Sequence, residues 1–438
     1  MTVAVIGAGP TGLAAVRNLT LHGFDVIGFE SHSDVGGLWD IDSPTSTMYE
    51  SAHLISSKGM TEFAEFPMHD DVATYPHHRE MRDYFRAYAR EFELYDHYRF
   101  STTVTRVQPR SHGWTITAES EGTSSTHDVG VLVLAIGTFH TPNMPTWPGF
   151  FDGELLHAST YRSPELFEGK RVLVVGCGNS GADIAVDAVH RAASVDLSLR
   201  RGYWFVPKFL AGRPIDTIGT GGPTLPRSLK QRVDAALLRA VVGRPSDYGL
   251  PDPDYRMYES HPVVNTQVLH HLGHGDITPR PDVARLDGSR VEFVDGGSGT
   301  YDLVMAATGY SLDWPFMDRE LLNWEGFAPA LYLNTFHPGR NDLFVTGMVE
   351  ATGLGWEGRN KQAALVAAYL AGLRDGHPAA ARLHDTIATN AHSRLTGGYD
   401  YLQVERMAYY VAKDQFLDRV QAHLDELHAP MPEPGASP

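Results

Sequence analysis

Residues 2–12 read TVAVIGAGPTG: an apolar strand runs into Gly7, Gly9 and Gly12 at the spacing G-x-G-x-x-G, and a helix is expected from Thr11 to about His22. The three glycines have separable jobs. Gly7 permits a tight turn, Gly9 lets a pyrophosphate approach the backbone, and Gly12 lets helix and strand pack closely. The helix N-terminus, entered through Pro10 and Thr11, then attracts the negative phosphates. Residues 170–181, KRVLVVGCGNSG, repeat the pattern with Gly176, Gly178 and Gly181, and Asn179 and Ser180 open the next helix. One such motif is weak evidence. Two, each between a strand and a helix, predict an α/β chain with two Rossmann-like dinucleotide-binding domains, one inserted into the other.

The two units differ in the charge at the end of the next strand. Eighteen residues after Gly12 comes Glu30, closing the strand DVIGFE (25–30). A carboxylate there accepts hydrogen bonds from ribose hydroxyls and repels a 2′-phosphate. Nineteen residues after Gly181 comes Arg200, then Arg201, closing VDLSLRR (195–201). An arginine pair binds a 2′-phosphate bidentately. The first site is therefore expected to prefer a dinucleotide without a 2′-phosphate and the second NADP(H). Two stretches are expected to complete the first site: Gly36, Gly37, Leu38 and Trp39 in SDVGGLW, and Thr308 and Gly309 in AATGY.

Bulk properties bound the rest. The 438 residues carry a formal charge of −17, which disfavours nucleic acid or an anionic membrane as the main partner. No apolar run reaches the roughly 18 residues of a bilayer span, and no secretory signal is visible, so cytoplasmic is the expected location. The single Cys177 excludes an intrachain disulfide and a C-x-x-C redox pair. No metal site is expected.

The expected organisation is a first dinucleotide domain over 1–162, an inserted second one over 163–298, and a return to the first over 299–425. Residues 426–438 are expected to be a disordered tail. FHTPNMPTWPG (139–149) is a Pro-rich connection. Helices are expected near 79–91, 181–192, 227–242 and 357–374. The aromatics Tyr203, Trp204, Trp314 and Trp356 fit either core or a pocket, with core favoured.

Between the two loops stands F-x-G-x-x-x-H-x-x-x-Y: Phe151, Gly153, His157 and Tyr161. With GAGPTG, SDVGGLW, SSKGMTEFAEFPM, GCGNSG, RRGYW, DYGLP and AATGYSLDWPFMD in order, the chain resembles the flavin-containing monooxygenases, the class B flavoprotein monooxygenases, from about residue 1 to 375. The resemblance implies FAD in the large domain and NADPH in the inserted one. It implies hydride transfer to the flavin, reaction with O2 to a C4a-(hydro)peroxyflavin, and transfer of one oxygen atom to a soft nucleophile, nitrogen or sulfur, of a small molecule. It also implies that His157, on the linker, couples cofactor binding to domain position rather than acting as acid or base. The N-terminus of the 357–374 helix, near Gly353 to Trp356, would face the flavin, and a carboxylate placed at Gly355 would oppose flavin reduction. Family members are often dimers, which leaves a homodimer open.

The pattern breaks at one place. The family commonly has Asn before S-K-x-M, to hold the nicotinamide or the oxygenated flavin; here the stretch is AHLISSKGM and the position is Ile55. Ser56 or Ser57 substitutes, or NADP⁺ alone protects the intermediate, or it decays to H2O2 unless substrate is present; the third is favoured. Two enzymatic alternatives stand beside oxidation at N or S: Baeyer–Villiger oxidation of a ketone, disfavoured because Arg162 follows Tyr161, and an NADPH oxidase releasing H2O2.

Overall fold

In the computed structural model, which describes residues 1–218 and 225–429, two five-stranded parallel sheets form the frame. The first has the order Leu343–Val345, Val131–Leu134, Thr2–Ile6, Asp25–Phe29, Tyr98–Arg99. Its central strands are buried on both faces, and neighbours along a strand serve different cores. Val3 and Val5 face helices Pro10–Leu21, His78–Glu91, Gly355–Asp375 and Lys413–His428. Ala4 and Ile6 face a three-stranded antiparallel meander, Thr103–Pro109, Trp114–Ser120 and Thr123–Val129, through Trp114, Ile116 and Ala118.

The second sheet repeats the scheme in the order Glu154–His157, Leu303–Ala306, Arg171–Val175, Ser194–Ser198, Ile277–Arg280. Val172 and Val174 face the helices Asn179–Val189 and Gln267–His274. Leu173 and Val175 face a small sheet that includes Val283–Gly288 and Arg290–Phe293. In both sheets the strand before the Gly loop has neighbours on opposite sides reached by opposite windings. The loops therefore open at the carboxyl-end crevice where such sheets bind ligands.

The sheets correct the expected boundaries. Gly149–Phe151 and Glu154–His157 pair within the second unit although they precede residue 163, and Leu303–Ala306, expected in the returning part from 299, lies between two second-sheet strands. The reason is topological: the closing strand of a doubly wound unit pairs beside its opening strand, however far apart in sequence. The chain crosses between sheets twice, and the two crossings touch. Thr141–Pro142 on the way out pairs antiparallel with Tyr310–Ser311 on the way back.

Helix Arg227–Val242 forms as its apolar spacing predicts. The expected tail is corrected at its start, because helix Lys413–His428 runs through 426–428; the rest of that segment, 430–438, lies outside the described residues. No helix among the described residues is long and apolar enough to cross a membrane.

Candidate active site

The first loop is shaped by contacts that only glycine allows. Gly7 has φ +107°, and a Cβ there would lie 2.5 Å from the Ala135 carbonyl oxygen. A Cβ on Gly12 would lie 1.9 Å from the Gly7 oxygen, so helix and turn are in direct contact. Gly9 caps the Pro10–Leu21 helix without any side-chain hydrogen bond, which leaves leading N–H groups for an anion. SDVGGLW folds onto this turn. The Gly36 N–H donates to the Ala8 oxygen over 3.0 Å, and Gly37, at φ +58°, would bring a Cβ within 3.0 Å of Gly9 Cα. Glu30 is buried beside them, its Oε2 accepting from the Ala8 N–H at 2.6 Å and its Oε1 from the His32 N–H at 2.8 Å. Thr11 packs against Gly347 at the end of the Leu343–Val345 strand. Leu38 and Trp39 continue in a short 3-10 turn, and the Trp39 ring meets Trp356 edge-on at 6.2 Å.

The second loop shares the turn but leaves more space. Gly176 has φ +97° and abuts the Ala307 oxygen, and Gly181 abuts the Gly176 oxygen. A Cβ on Gly178 would meet nothing within 4 Å. Gly178 also caps its helix without a side-chain bond. Asn179 is already engaged: its Oδ1 accepts from the Val264 N–H at 2.7 Å and its Nδ2 donates to the Pro262 oxygen. Ser180 is half-buried beside it and reaches the Tyr49 hydroxyl. Arg200 is exposed and Arg201 half-buried, and neither forms a side-chain hydrogen bond or ion pair among the described residues. The Arg201 Nε is a buried donor without a partner. An orphaned guanidinium nitrogen beside a bare helix N-terminus fits a phosphate-bearing ribose, as the glycine cradle around Gly9 fits a pyrophosphate.

Thr308 and Gly309 are not where the sequence suggests. They follow a second-sheet strand, and Ala307 lies against Gly176 and Gly181. Thr308 Oγ1 donates to the Asn143 oxygen over 2.6 Å, and the Asn143 N–H donates to the Gly309 oxygen over 3.0 Å. These residues knot the double crossing at the end of a second-sheet strand.

His157 belongs to that knot. Its Nε2–H donates to the same Gly309 oxygen over 3.0 Å, and its Nδ1 accepts from the Ser159 N–H at 3.1 Å. The carbonyl can only accept and the amide only donate, which fixes the neutral Nε2–H tautomer. Burial holds the imidazole pKa below its ordinary value. Both ring nitrogens are thus committed to backbone.

Ile55 is half-buried and Ser57 buried. Ser56 Oγ shares a hydrogen bond with Thr61 Oγ1 at 2.7 Å, and Thr61 Oγ1 donates to the Ser57 oxygen. Sequence reading missed Asp216, which reaches across from the second unit: its Oδ2 accepts from the Ser57 N–H at 2.6 Å, while its Oδ1 is buried without a partner among the described residues. No local motif marks it. The Gly355–Asp375 helix begins over the same turn, with the Trp356 N–H donating to the Thr61 oxygen over 2.7 Å. Gly355, at φ +63°, would bring a Cβ within 2.5 Å of the Met60 oxygen, so a carboxylate there would displace backbone as well as add charge.

Trp314 is core, and Trp204 and Tyr203 pack in or against cores of the second unit. A cavity of about 430 Å³ lies between helix Arg227–Val242 and residues 253–257, lined by no residue of either loop.

A model of the family described as flavin-binding monooxygenase-like matches residues 1–433. Flavin-containing monooxygenase 5 of Oryctolagus cuniculus is 32% identical over 383 residues, covering 80% of this chain and 70% of its own. Dimethylaniline monooxygenase (N-oxide-forming) 2 of Pan troglodytes is 31% identical over 373 residues with the same coverage. Cyclohexanone monooxygenase from Rhodococcus sp. Phi1, solved bound to NADP⁺, superposes with a TM-score of 0.73 at 18% identity over 97% of both chains, a likeness of fold. With two dinucleotide loops, a basic second site and a neutral linker histidine in place, these matches identify the chain as a member of the flavin-binding monooxygenase-like family, an FAD- and NADPH-dependent monooxygenase.

Proposed function

We propose that the enzyme oxygenates a soft nitrogen or sulfur centre of a small molecule, with FAD at the first loop and NADPH at the second. The observation that carries the assignment of the two loops is their opposite chemistry. Glu30 is a buried carboxylate closed onto the first loop, whereas Arg200 and Arg201 stand unpaired beside the second. FAD held at the first loop would supply a ring able to accept a hydride from NADPH and to activate O2, one oxygen atom going to the substrate and the other to water.

The protein's part is placement. Gly9, Thr11 and Gly12 offer backbone N–H groups to the FAD pyrophosphate, Gly7, Pro10, Gly36 and Gly37 shape the turn around it, Glu30 takes the ribose, and Leu38 and Trp39 wall the ring side. Gly176, Gly178, Ser180 and Gly181 hold the NADPH pyrophosphate, and Arg200 and Arg201 take the 2′-phosphate. Asn179 braces the loop through Val264. His157 ties the crossings at Gly309, with Thr308 beside it, its Nε2–H engaged by the Gly309 oxygen. Ile55, Ser56 and Ser57 line the position where the family commonly carries an amide. The nitrogen alternative draws on the N-oxide-forming relative.

The test is anaerobic bleaching of the bound flavin by NADPH against NADH, then product analysis with a tertiary amine, a sulfide and a ketone. A strong NADPH preference and oxygenated amine or sulfide are expected. Lactone or ester from the ketone alone would make the enzyme a Baeyer–Villiger catalyst, and a flavin that NADPH does not bleach would overturn the assignment of the loops.

A further inference from the structure

The helix that opens at the second loop, Asn179–Val189, carries Asp183 and Asp187 one turn apart on one face. Neither belongs to a glycine loop, the arginine pair or the linker fingerprint. Asp183 Oδ2 accepts from the Tyr49 hydroxyl at 2.8 Å, and its Oδ1 accepts from Asn265 Nδ2 at 2.5 Å. Asp187 Oδ2 accepts from the Tyr161 hydroxyl at 2.8 Å and from Ser51 Oγ at 2.5 Å. Tyr49 and Ser51 come from the first part of the chain, between SDVGGLW and the Ile55 turn. Tyr161 closes the linker fingerprint.

The rest of the contact is built to match. The Tyr49 and Tyr161 rings pack at 5.5 Å, and Tyr161 stacks on Phe167 at 5.2 Å. Tyr49 and Ala52 are buried in the core of the second unit, with Val172 and Val174 of the strand that leads into the loop. The Glu50 N–H donates to the Arg162 oxygen over 2.8 Å, and the Arg162 guanidinium returns to the oxygens of Ser46, Ser159 and Tyr161. Segment 46–52, the linker and the nucleotide helix are thus one hydrogen-bonded unit.

We propose that Asp183 and Asp187 are positioning residues for hydride transfer. They clamp the helix whose N-terminus faces the nicotinamide dinucleotide onto segment 46–52, and so set the distance between the two dinucleotide sites. This role rests on NADPH binding at the second loop. Hydride transfer is steep in distance, and a misplacement of about 1 Å costs up to roughly 100-fold. The clamp therefore acts on rate more than on affinity: its side chains lie outside the glycine loop and the arginine pair, and the contact between the Tyr49 hydroxyl and Ser180 of the loop adds a smaller effect on affinity.

The experiment is the Tyr49→Phe, Tyr161→Phe double variant, which keeps both rings and removes both donated bonds. Three quantities are read on the FAD-loaded enzyme: the limiting rate of flavin reduction by NADPH, the Kd for NADP⁺, and hydrogen–deuterium exchange at the Glu50 amide. The reduction rate is expected to fall about 10- to 100-fold, with the NADP⁺ Kd rising by no more than about threefold through the lost Ser180 contact and Glu50 exchange faster. An unchanged reduction rate overturns the proposal. Should the double variant not fold, Ser51→Ala removes one bond of the set and is expected to give the same pattern at about threefold. In parallel, Arg200→Ala and Arg201→Ala are assayed for NADPH affinity. No loss there would remove the assignment of NADPH to this loop, a failure distinct from an intact reduction rate in the tyrosine variant.

Discussion

His157 Nε2 donates to the Gly309 carbonyl oxygen over 3.0 Å, joining two segments 152 residues apart in sequence. The same oxygen accepts from the Asn143 N–H. One carbonyl thus ties the outgoing crossing, the linker fingerprint and the returning crossing. A histidine suits the place because it offers a donor on one nitrogen and an acceptor on the other. Losing the second bond leaves the Ser159 N–H without that acceptor, at about 1–3 kcal/mol, whereas the Gly309 oxygen keeps the Asn143 N–H.

His157→Gln keeps a donor for Gly309 but places no acceptor at the Nδ1 position that meets the Ser159 N–H. It is expected to lower Tm by a few degrees and the rate of flavin reduction severalfold, without moving the midpoint of the kcat pH profile. A profile that loses a titration in this variant would make His157 an acid or base after all. Thermal unfolding and kcat from pH 5 to 9 decide it.

Gly178→Ala and Arg201→Ala separate fold from cofactor binding at the second loop. A Cβ on Gly178 meets no protein atom within 4 Å, so Tm should stay within a degree or two while the NADPH Kd rises about tenfold or more. Arg201→Ala should cost about 1.5–3 kcal/mol of NADPH binding, roughly 10- to 100-fold in Kd, and leave NADH nearly unaffected. Equal losses for both cofactors would move the 2′-phosphate site elsewhere. Titration of the oxidised enzyme with each cofactor makes the comparison.

Ile55 offers no hydrogen bond where the family commonly has an amide, and Asp216 brings an acceptor to the Ser57 N–H instead. The wild-type enzyme is therefore expected to release close to one H2O2 per NADPH when no substrate is present. Ile55→Asn should restore one donor, worth about 1–2 kcal/mol, and slow that release about tenfold. Parallel traces of NADPH loss and H2O2 formation test this. Identical traces in variant and wild type would show that the position does not control oxygen activation.

His78 gives the fold a pH dependence. Its ring is fully buried, neither nitrogen has a hydrogen-bond partner among the described residues, and burial, helped by His77, Arg79, Arg82 and His53, lowers its pKa to about 4. The unfolded chain takes up that proton near pH 6.5 and the folded chain does not. Stability from this group is therefore complete above pH 6.5 and declines as pH falls toward 4, by at most about 3 kcal/mol in total. Urea unfolding of wild type and His78→Leu between pH 7 and 4.5 should show the shallower slope in the variant. Parallel slopes would mean that His78 protonates without penalty.

Sequence determined the parts whose physics is local. A glycine that must turn with positive φ, a strand that must be apolar and a helix that must start uncapped are each fixed within a dozen residues. The roles of Gly7, Gly12, Gly176 and Gly181 are therefore legible in the sequence alone, and so is the sign change from Glu30 to Arg200 and Arg201. Tertiary structure decided whatever depends on pairing between distant segments. Leu303–Ala306 reads as an apolar strand in either unit, and only its register beside Val172–Val175 places Thr308 and Gly309 at the crossing. Asp183, Asp187 and Asp216 carry no motif, since a carboxylate on a helix or loop looks solvated until a Tyr49, a Tyr161 or a Ser57 N–H from elsewhere closes on it. Periodicity and spacing record what a residue does for its own turn or strand; a partner distant in the chain leaves no such mark.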